Sequence, residues 1–490
     1  MKKNLIKLIA LMLSLILSVG VLAACTGGGG DGGNTDKADE LKGITEDTIW
    51  VGNTAGTTGA LAAIGGPFNL GIQAAFEAYN KAGGYNGKSI KLQHYDDGGI
   101  DSNSTTLLEK LIHEDEVFAI VGHFGSYAVD ATLDTLIDEE VPMIYAAAGN
   151  EELLNENASS LGEKGIIPVQ PLNKTEGRML ILRAFAPADK GGLAAKKVGV
   201  IANSNEASQS LLAGIKDEMK NLPADNQSNV LIQEVNTSDY SGAVNALKAA
   251  GCDVVVLTVI GADFLTALTT MANVNYVCSV LTSYNNASAA TFNKDNVMQE
   301  QYVPIFQTMA VYAQAWLDIS SLDYIYKDEN SALYNMYKAL ALVYAKDEEG
   351  NTYERGVAGF GAEYWTVANN IYDYVVTVED ANKAFAMSYD AYALAGYIAG
   401  DLFCQAMEEL EASGKALSRA NLVSILESKE YKIAMADVLS FANGMRSGVQ
   451  SFALTCIFDA HNFDSTAAHT ASSMTVHGLM SIEEYRELLK

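Results

Sequence analysis

Ala119-Ile120-Val121-Gly122-His123-Phe124-Gly125-Ser126-Tyr127 is the stretch from which the fold follows. The apolar run Val117–Val121 has the length of a buried strand and is too short for a helix. Glycines at 122 and 125 turn the chain, and Tyr127–Glu139 then carries helical spacing. A strand that passes through a tight turn into a helix is the building unit of an α/β sheet. The same turn leaves free N–H groups and the positive end of a helix dipole beyond the strand, a setting that suits a carboxylate. Ser126 can cap this helix or donate to a ligand.

The pattern repeats outward in both directions. Thr48–Asn53, Ser89–Tyr95 and Pro142–Tyr145 are expected strands, and Gly66–Lys81 and Ser102–Glu114 expected helices. Pro67 suits the first turn of its helix. A second series follows, with helices at Asn173–Phe185 and Ser208–Leu222 and strands at Lys197–Ile201, Val230–Val235, Val254–Val259 and Tyr276–Leu281. Strands alternating with long helices predict parallel sheets with right-handed crossovers. Two series predict two doubly wound lobes that hold a ligand beyond the carboxyl ends of their strands. Tyr145-Ala146-Ala147-Ala148-Gly149 ends one strand in small residues that let a ligand approach the backbone. Residues 311–388 are helical in tendency and rich in tyrosine and tryptophan, with the core as their default place. Residues 389–412 are an amphipathic helix, Val449–Phe458 a strand and Ser481–Lys490 a closing helix.

At 490 residues and 49% hydrophobic, the chain has the size of two globular domains. Its amino terminus has the layout of an export signal: Lys2, Lys3 and Lys7, an uncharged run from Leu8 to Ala24, and small residues before Cys25. Leu22-Ala23-Ala24-Cys25 resembles the bacterial lipobox, which implies cleavage after residue 24 and lipid on Cys25. Residues 25–45 read as a flexible, glycine-rich tether. Removing the leader's three lysines, with no acid, takes the formal charge from −28 to −31. So acidic a surface repels phosphate backbones and argues against a nucleic-acid partner. Cys252 and Cys278 can pair outside the cell, or all four of Cys252, Cys278, Cys404 and Cys456 are buried free thiols. The six histidines form no ligand-like cluster, so no metal or cofactor is expected.

Three motifs imitate catalytic ones. Gly83-Gly84-Tyr85-Asn86-Gly87-Lys88-Ser89 looks like the tail of a phosphate loop, but it runs from helix to strand and Ala82 stands where a glycine is needed. Gly359-Phe360-Gly361 lacks its third glycine, which is Tyr364. Asp96, Asp97 and Asp101 lie between a strand and a helix, where capping is the ordinary role of aspartate. No G-x-S-x-G elbow occurs, and no enzyme is expected.

Residues 44–153 carry a resemblance. Ile49-Trp50-Val51-Gly52, Ala55-Gly56, Gly71, Tyr79-Asn80-Lys81-Ala82-Gly83-Gly84-Tyr85-Asn86-Gly87-Lys88, Tyr95-Asp96-Asp97, Ala119-Ile120-Val121-Gly122 and Val141-Pro142-Met143-Ile144 stand in matching order and spacing. Together they resemble the amino-terminal lobe of the leucine/isoleucine/valine-type periplasmic binding proteins, and Tyr389-Asp390-Ala391-Tyr392 resembles the family's late helix. The resemblance implies an α/β fold of two doubly wound lobes joined by three crossovers. It implies one lobe from residues 46–165 plus 311–437 and the other from 166–310 plus 438–490. It also implies the solute receptor of an ABC importer, a monomer that hands a small solute to a membrane permease and touches the membrane through its lipid alone. It would sit on the outer face of the cytoplasmic membrane or in a periplasm. A ligand-sensing receptor of the same fold is the alternative.

The resemblance implies a ligand seat made by Gly125, Ser126, Tyr127, Ala147, Ala148 and Gly149, with Ile64 and Phe124 as an apolar wall. From the second lobe, Tyr284 stands where an acid usually pairs with a ligand ammonium, beside Asn285. Glu206 or Asp263 would then take that role, or the ligand has no α-amino group. Gly149 stands where members often carry threonine, and residues 311–388 are longer than the family's pattern.

Overall fold

Strand Thr48–Ala55 (β1) has parallel neighbours on both sides: Ser89–Asp96 (β2) and Ile120–Phe124 (β3). Met143–Ala147 (β4) and Ile166–Ile167 (β5) complete a five-stranded parallel sheet of order β2-β1-β3-β4-β5. Helices α1 (Ala62–Lys81), α2 (Asp101–His113) and α3 (Ser126–Asp138) connect its strands. The computed structural model describes residues 42–287, 292, 297–319, 325–339, 344–346, 352–354, 357–358, 360–459 and 471–490. The leader, Cys25, the tether up to residue 41 and Gly359 lie outside the described residues.

Helix α4 (Asn173–Phe185) opens the second lobe. Val198–Asn203 (β6), Val230–Val235 (β7), Val254–Leu257 (β8), Ser279–Thr282 (β9) and Val311–Ala315 (β10) follow, with α5 (Glu206–Met219), α6 (Ser241–Ala250) and α7 (Ala262–Asn273) between them. They pair in parallel as β7-β6-β8-β9-β10, the winding order of the first sheet again. The chain then returns to the first lobe, where α8 (Ala362–Val378) and α9 (Ala391–Ser413) pack on α1. It crosses a third time to add Ser451–Asp459 (β11) and Ala471–Ser481 (β12), both antiparallel, and ends in α10 (Ile482–Leu489). Two lobes joined by three crossovers are therefore present. One apolar core runs through both, from Ile49, Val51 and Phe68 to Leu180, Val198 and Val200.

Several expectations shift. Val311–Ala315 is a strand, not helix, and belongs to the second lobe's sheet instead of opening the return at residue 311. Val438–Ser440 pairs with Glu430–Lys432 and not with that sheet, which the chain rejoins at Ser451 instead of at residue 438. The strand expected from Val117 begins at Ile120, because Arg419, 5% exposed, takes the Val117 and Phe118 carbonyls at 2.9 Å each. Pro67 lies inside α1, which starts four residues before Gly66, at Ala62. Strand β12 went unread because an edge strand needs no continuous apolar run. Cys252, Cys278, Cys404 and Cys456 are free thiols.

Candidate functional site

In each sheet the winding reverses between two neighbouring strands, β1 and β3 in one and β6 and β8 in the other. Open α/β sheets bind ligands beyond the carboxyl ends of the strands at that reversal. Gly125 sits there. Its φ of +99° excludes most side chains, and a Cβ would meet the Tyr127 ring at 2.3 Å. Gly125 is the N-cap of α3, and no side chain caps the helix. Ser126 is the first helical residue and is exposed. The N–H groups of Ser126 and Tyr127 meet no backbone acceptor among the described residues, so this helix start is open to an outside acceptor.

Not every residue of the expected seat is available. The Gly125 N–H donates to the Ala147 carbonyl at 3.2 Å, so these two backbone groups satisfy each other. Ala148 is 4% exposed in a satellite core under the first sheet. Gly149 faces protein: a Cβ there would come within 2.7 Å of the Asn173 side chain, and the Asn173 backbone N–H donates to the Gly149 carbonyl at 3.0 Å. A threonine there would have to displace the Asn173 amide. The Tyr127 hydroxyl donates to Asp97 Oδ1 at 2.7 Å and accepts from the Gly56 N–H. Tyr127 is thus a strut between the ends of β1 and β2.

An aromatic file lies below. Phe124 packs 5.1 Å from Phe68, Phe68 5.7 Å from Tyr145, and Tyr145 6.4 Å from Trp316, centroid to centroid. Ile64, half-buried on α1, joins the same core. Tyr145 holds a φ of +60° and donates to Gln170 Oε1 at 3.2 Å. Gln170 Nε2 lies 3.5 Å from the Tyr284 hydroxyl, so one glutamine at the first crossover links the strand ends of both lobes.

On the second lobe, Tyr284 and Asn285 sit in a short turn after β9. Glu176, fully buried in α4, holds that turn: its carboxylate accepts from the Ser283 hydroxyl at 2.7 Å and the Tyr284 N–H at 2.8 Å. Burial raises its pKa to about 7, against those two hydrogen bonds and the charge of Arg183. Asp263 is committed within its lobe, accepting from Asn203 Nδ2 at 3.0 Å and bonding the Tyr240 hydroxyl. Glu206 is exposed in the first turn of α5. Burial, then repulsion from Asp130 and Glu152 of the first lobe, raises its pKa. Those two acids were not among the expected site residues; their only signal was the position of Asp130, one turn after Ser126.

The imitative motifs resolve as structure. Asp96 accepts from the Thr57, Thr58 and Gly98 N–H groups and the Thr58 hydroxyl. Asp97 accepts from the Gly99 N–H and the Ser104 hydroxyl. Gly83 and Gly84, with φ of +125° and +62°, follow the end of α1 and lead into the Tyr85–Lys88 turn. Among the described residues no group of three histidine, cysteine, aspartate or glutamate side chains could hold a metal ion.

A sequence profile described as "Periplasmic binding protein" matches residues 48–317. An "Amino acid binding protein" of Pseudomonas aeruginosa is 26% identical over 209 residues, 42% of this chain and 52% of that protein. A "Leu/Ile/Val-binding protein homolog 2" of Brucella abortus is 27% identical over 216 residues, 42% of this chain and 53% of that protein. The chain thus spans about half the length of these sequence relatives. Among solved structures, a fatty acid ABC transporter substrate-binding protein from Thermomonospora curvata superposes with a TM-score of 0.59 at 16% identity, covering 91% of this chain and 95% of the other.

Proposed function

The chain belongs to the periplasmic binding protein family, and from this premise we propose that it is an extracytoplasmic solute receptor of an ABC importer, not an enzyme. It captures a small carboxylate-bearing solute between its lobes and presents the closed form to a membrane permease. The observation that carries this reading is the uncapped start of α3 at the winding reversal, with Ser126 exposed beside it. Related proteins are named for amino acids and for a fatty acid, ligands whose common group is a carboxylate. The seat is the Ser126 hydroxyl with the Ser126 and Tyr127 N–H groups. Ile64 and Phe124 form its apolar side, and Tyr284 and Asn285 close from the other lobe. Cys25 carries the lipid that holds the monomer to the membrane.

Titration calorimetry of the protein freed of co-purifying solute, against amino acids and their 2-oxo acid analogues, tests the seat. Carboxylates bind, and Ser126→Ala weakens them by about 1 kcal/mol, the worth of one hydrogen bond. Silence across the panel removes the receptor reading, and full affinity in Ser126→Ala removes the seat. Retention of Cys25→Ser in the membrane fraction would refute the lipid anchor.

A further inference from the structure

The three passages between the lobes converge on one pair of side chains, Tyr145 and Gln170. Tyr145 lies in β4 with a φ of +60°, a left-handed conformation that a tyrosine keeps only where its surroundings dictate it. Its ring is completely buried against Phe68 of α1 and against Trp316, the residue after β10 with which the second passage begins. Its hydroxyl donates to Gln170 Oε1 in the first passage. The third passage closes over Gln170: a Cβ on Gly448 would lie 2.3 Å from the Gln170 carbonyl oxygen, and the Val449 N–H donates to the Val169 carbonyl at 2.8 Å.

Gln170 belongs to neither sheet, yet its amide touches a strand end of each lobe. The joint to Tyr145 measures 3.2 Å, within the ordinary span of a hydrogen bond. The joint from Nε2 to the Tyr284 hydroxyl measures 3.5 Å, and that hydroxyl in turn donates to the Pro171 carbonyl at 3.4 Å. Both exceed the usual limit of about 3.2 Å, so the end at Tyr284 is the loose end of the relay. Tyr145 and Tyr284 lie toward the carboxyl ends of β4 and β9, the side on which a cleft opens. Parting the lobes there lengthens the relay and breaks it at Tyr284. Drawing them together shortens that joint into the ordinary range.

We propose that Gln170 is a hinge latch: its amide, set by Tyr145, bonds Tyr284 and favours the approach of the lobes. A solute that binds the closed form gains whatever share of that form is already populated, so the latch raises affinity without touching the solute. Gln170 is thus a positioning residue, and its effect does not depend on which solute fits the seat.

Small-angle scattering of the full chain, freed of small molecules, tests the latch. High salt screens the neighbouring Lys174–Glu151 ion pair and isolates the relay. Gln170→Leu removes both joints at nearly constant volume, and Tyr145→Phe and Tyr284→Phe remove one hydroxyl each. Each joint lost should shift the open-to-closed ratio roughly fivefold, the worth of one hydrogen bond, and give a larger radius of gyration than the parent. Adding Tyr145→Phe to Gln170→Leu should enlarge the radius no further, because the hydroxyl acts through the amide. Tyr485→Phe removes a hydroxyl bonded to Arg183 and Gly191 inside the second lobe and should leave the radius at the parent value. Parent radii in Tyr145→Phe and Tyr284→Phe would overturn the latch, even where Gln170→Leu failed to fold. An equal increase in Tyr485→Phe would also overturn it, by reducing the effect to general loosening. The readout needs no solute, so its failure is separate from a failure of the carboxylate seat.

Discussion

Glu176 is the residue whose environment has the clearest measurable outcome. Its carboxyl is buried and its pKa is raised from an ordinary value of 4.5 to about 7. Between those values the folded protein holds a proton that the unfolded chain has released, so stability falls as pH rises through that window. The contribution is present in full below pH 4.5 and is lost above about 7. Urea unfolding should therefore give a higher free energy at pH 5.5 than at pH 7.5, by on the order of 2 kcal/mol. Glu176→Gln should flatten that difference, and an unchanged slope in the variant would assign the pH dependence elsewhere. Nothing local marks Glu176, which follows Asn173, Lys174 and Thr175 in an ordinary first helical turn. Its role comes from Ser283 and Tyr284, over a hundred positions away. Gly125 was readable, because a glycine between strand and helix has few other reasons to be there. Gly149 was misread because the sequence shows a small residue without showing that Asn173 fills the space above it. The electrostatic link of Asp130, Glu152 and Glu206 is equally tertiary: periodicity placed Asp130 on its helix and left Glu152 and Glu206 outside the expected elements.

At the scale of elements, both lobes bring two helices together by the same device. In the first, Gly71 of α1 and Gly396 of α9 face each other's backbones; added Cβ atoms would lie 2.0 Å from the Ala393 carbonyl and 1.9 Å from that of Phe68. In the second, Gly177 of α4 and Gly214 of α5 stand likewise, with Cβ atoms 2.0 Å from the Leu211 and Lys174 carbonyls. Backbone cannot yield as a side-chain tip can, so the helices would have to part. Gly396→Ala should cost about 1–3 kcal/mol by overpacking and lower the melting temperature followed by circular dichroism. A melt identical to the parent would show the helices less tightly apposed than this. Most elements were legible, because strands and helices of the two wound series alternate with clear apolar periods. What escaped lay at edges and returns. Strand β5 is two residues long, β12 is an edge, and β10 belongs to a sheet whose other parallel members precede it by some thirty residues or more.

At the scale of the molecule, the lobes are tied by Gln170 and by Lys174 of the second lobe to Glu151 of the first. These links lie at the first crossover, where a hinge would turn. Small-angle scattering should therefore show a smaller radius of gyration once a tight-binding solute is added. Superimposable curves for a solute that calorimetry proves to be bound would refute closure. The route of the chain has one more consequence. Because the polypeptide passes between the lobes three times, a protease nick in any single passage leaves two covalent connections. A singly cut chain would stay one particle in native mass spectrometry and come apart into fragments only in denaturant, so resistance to a single cut is written into its connectivity.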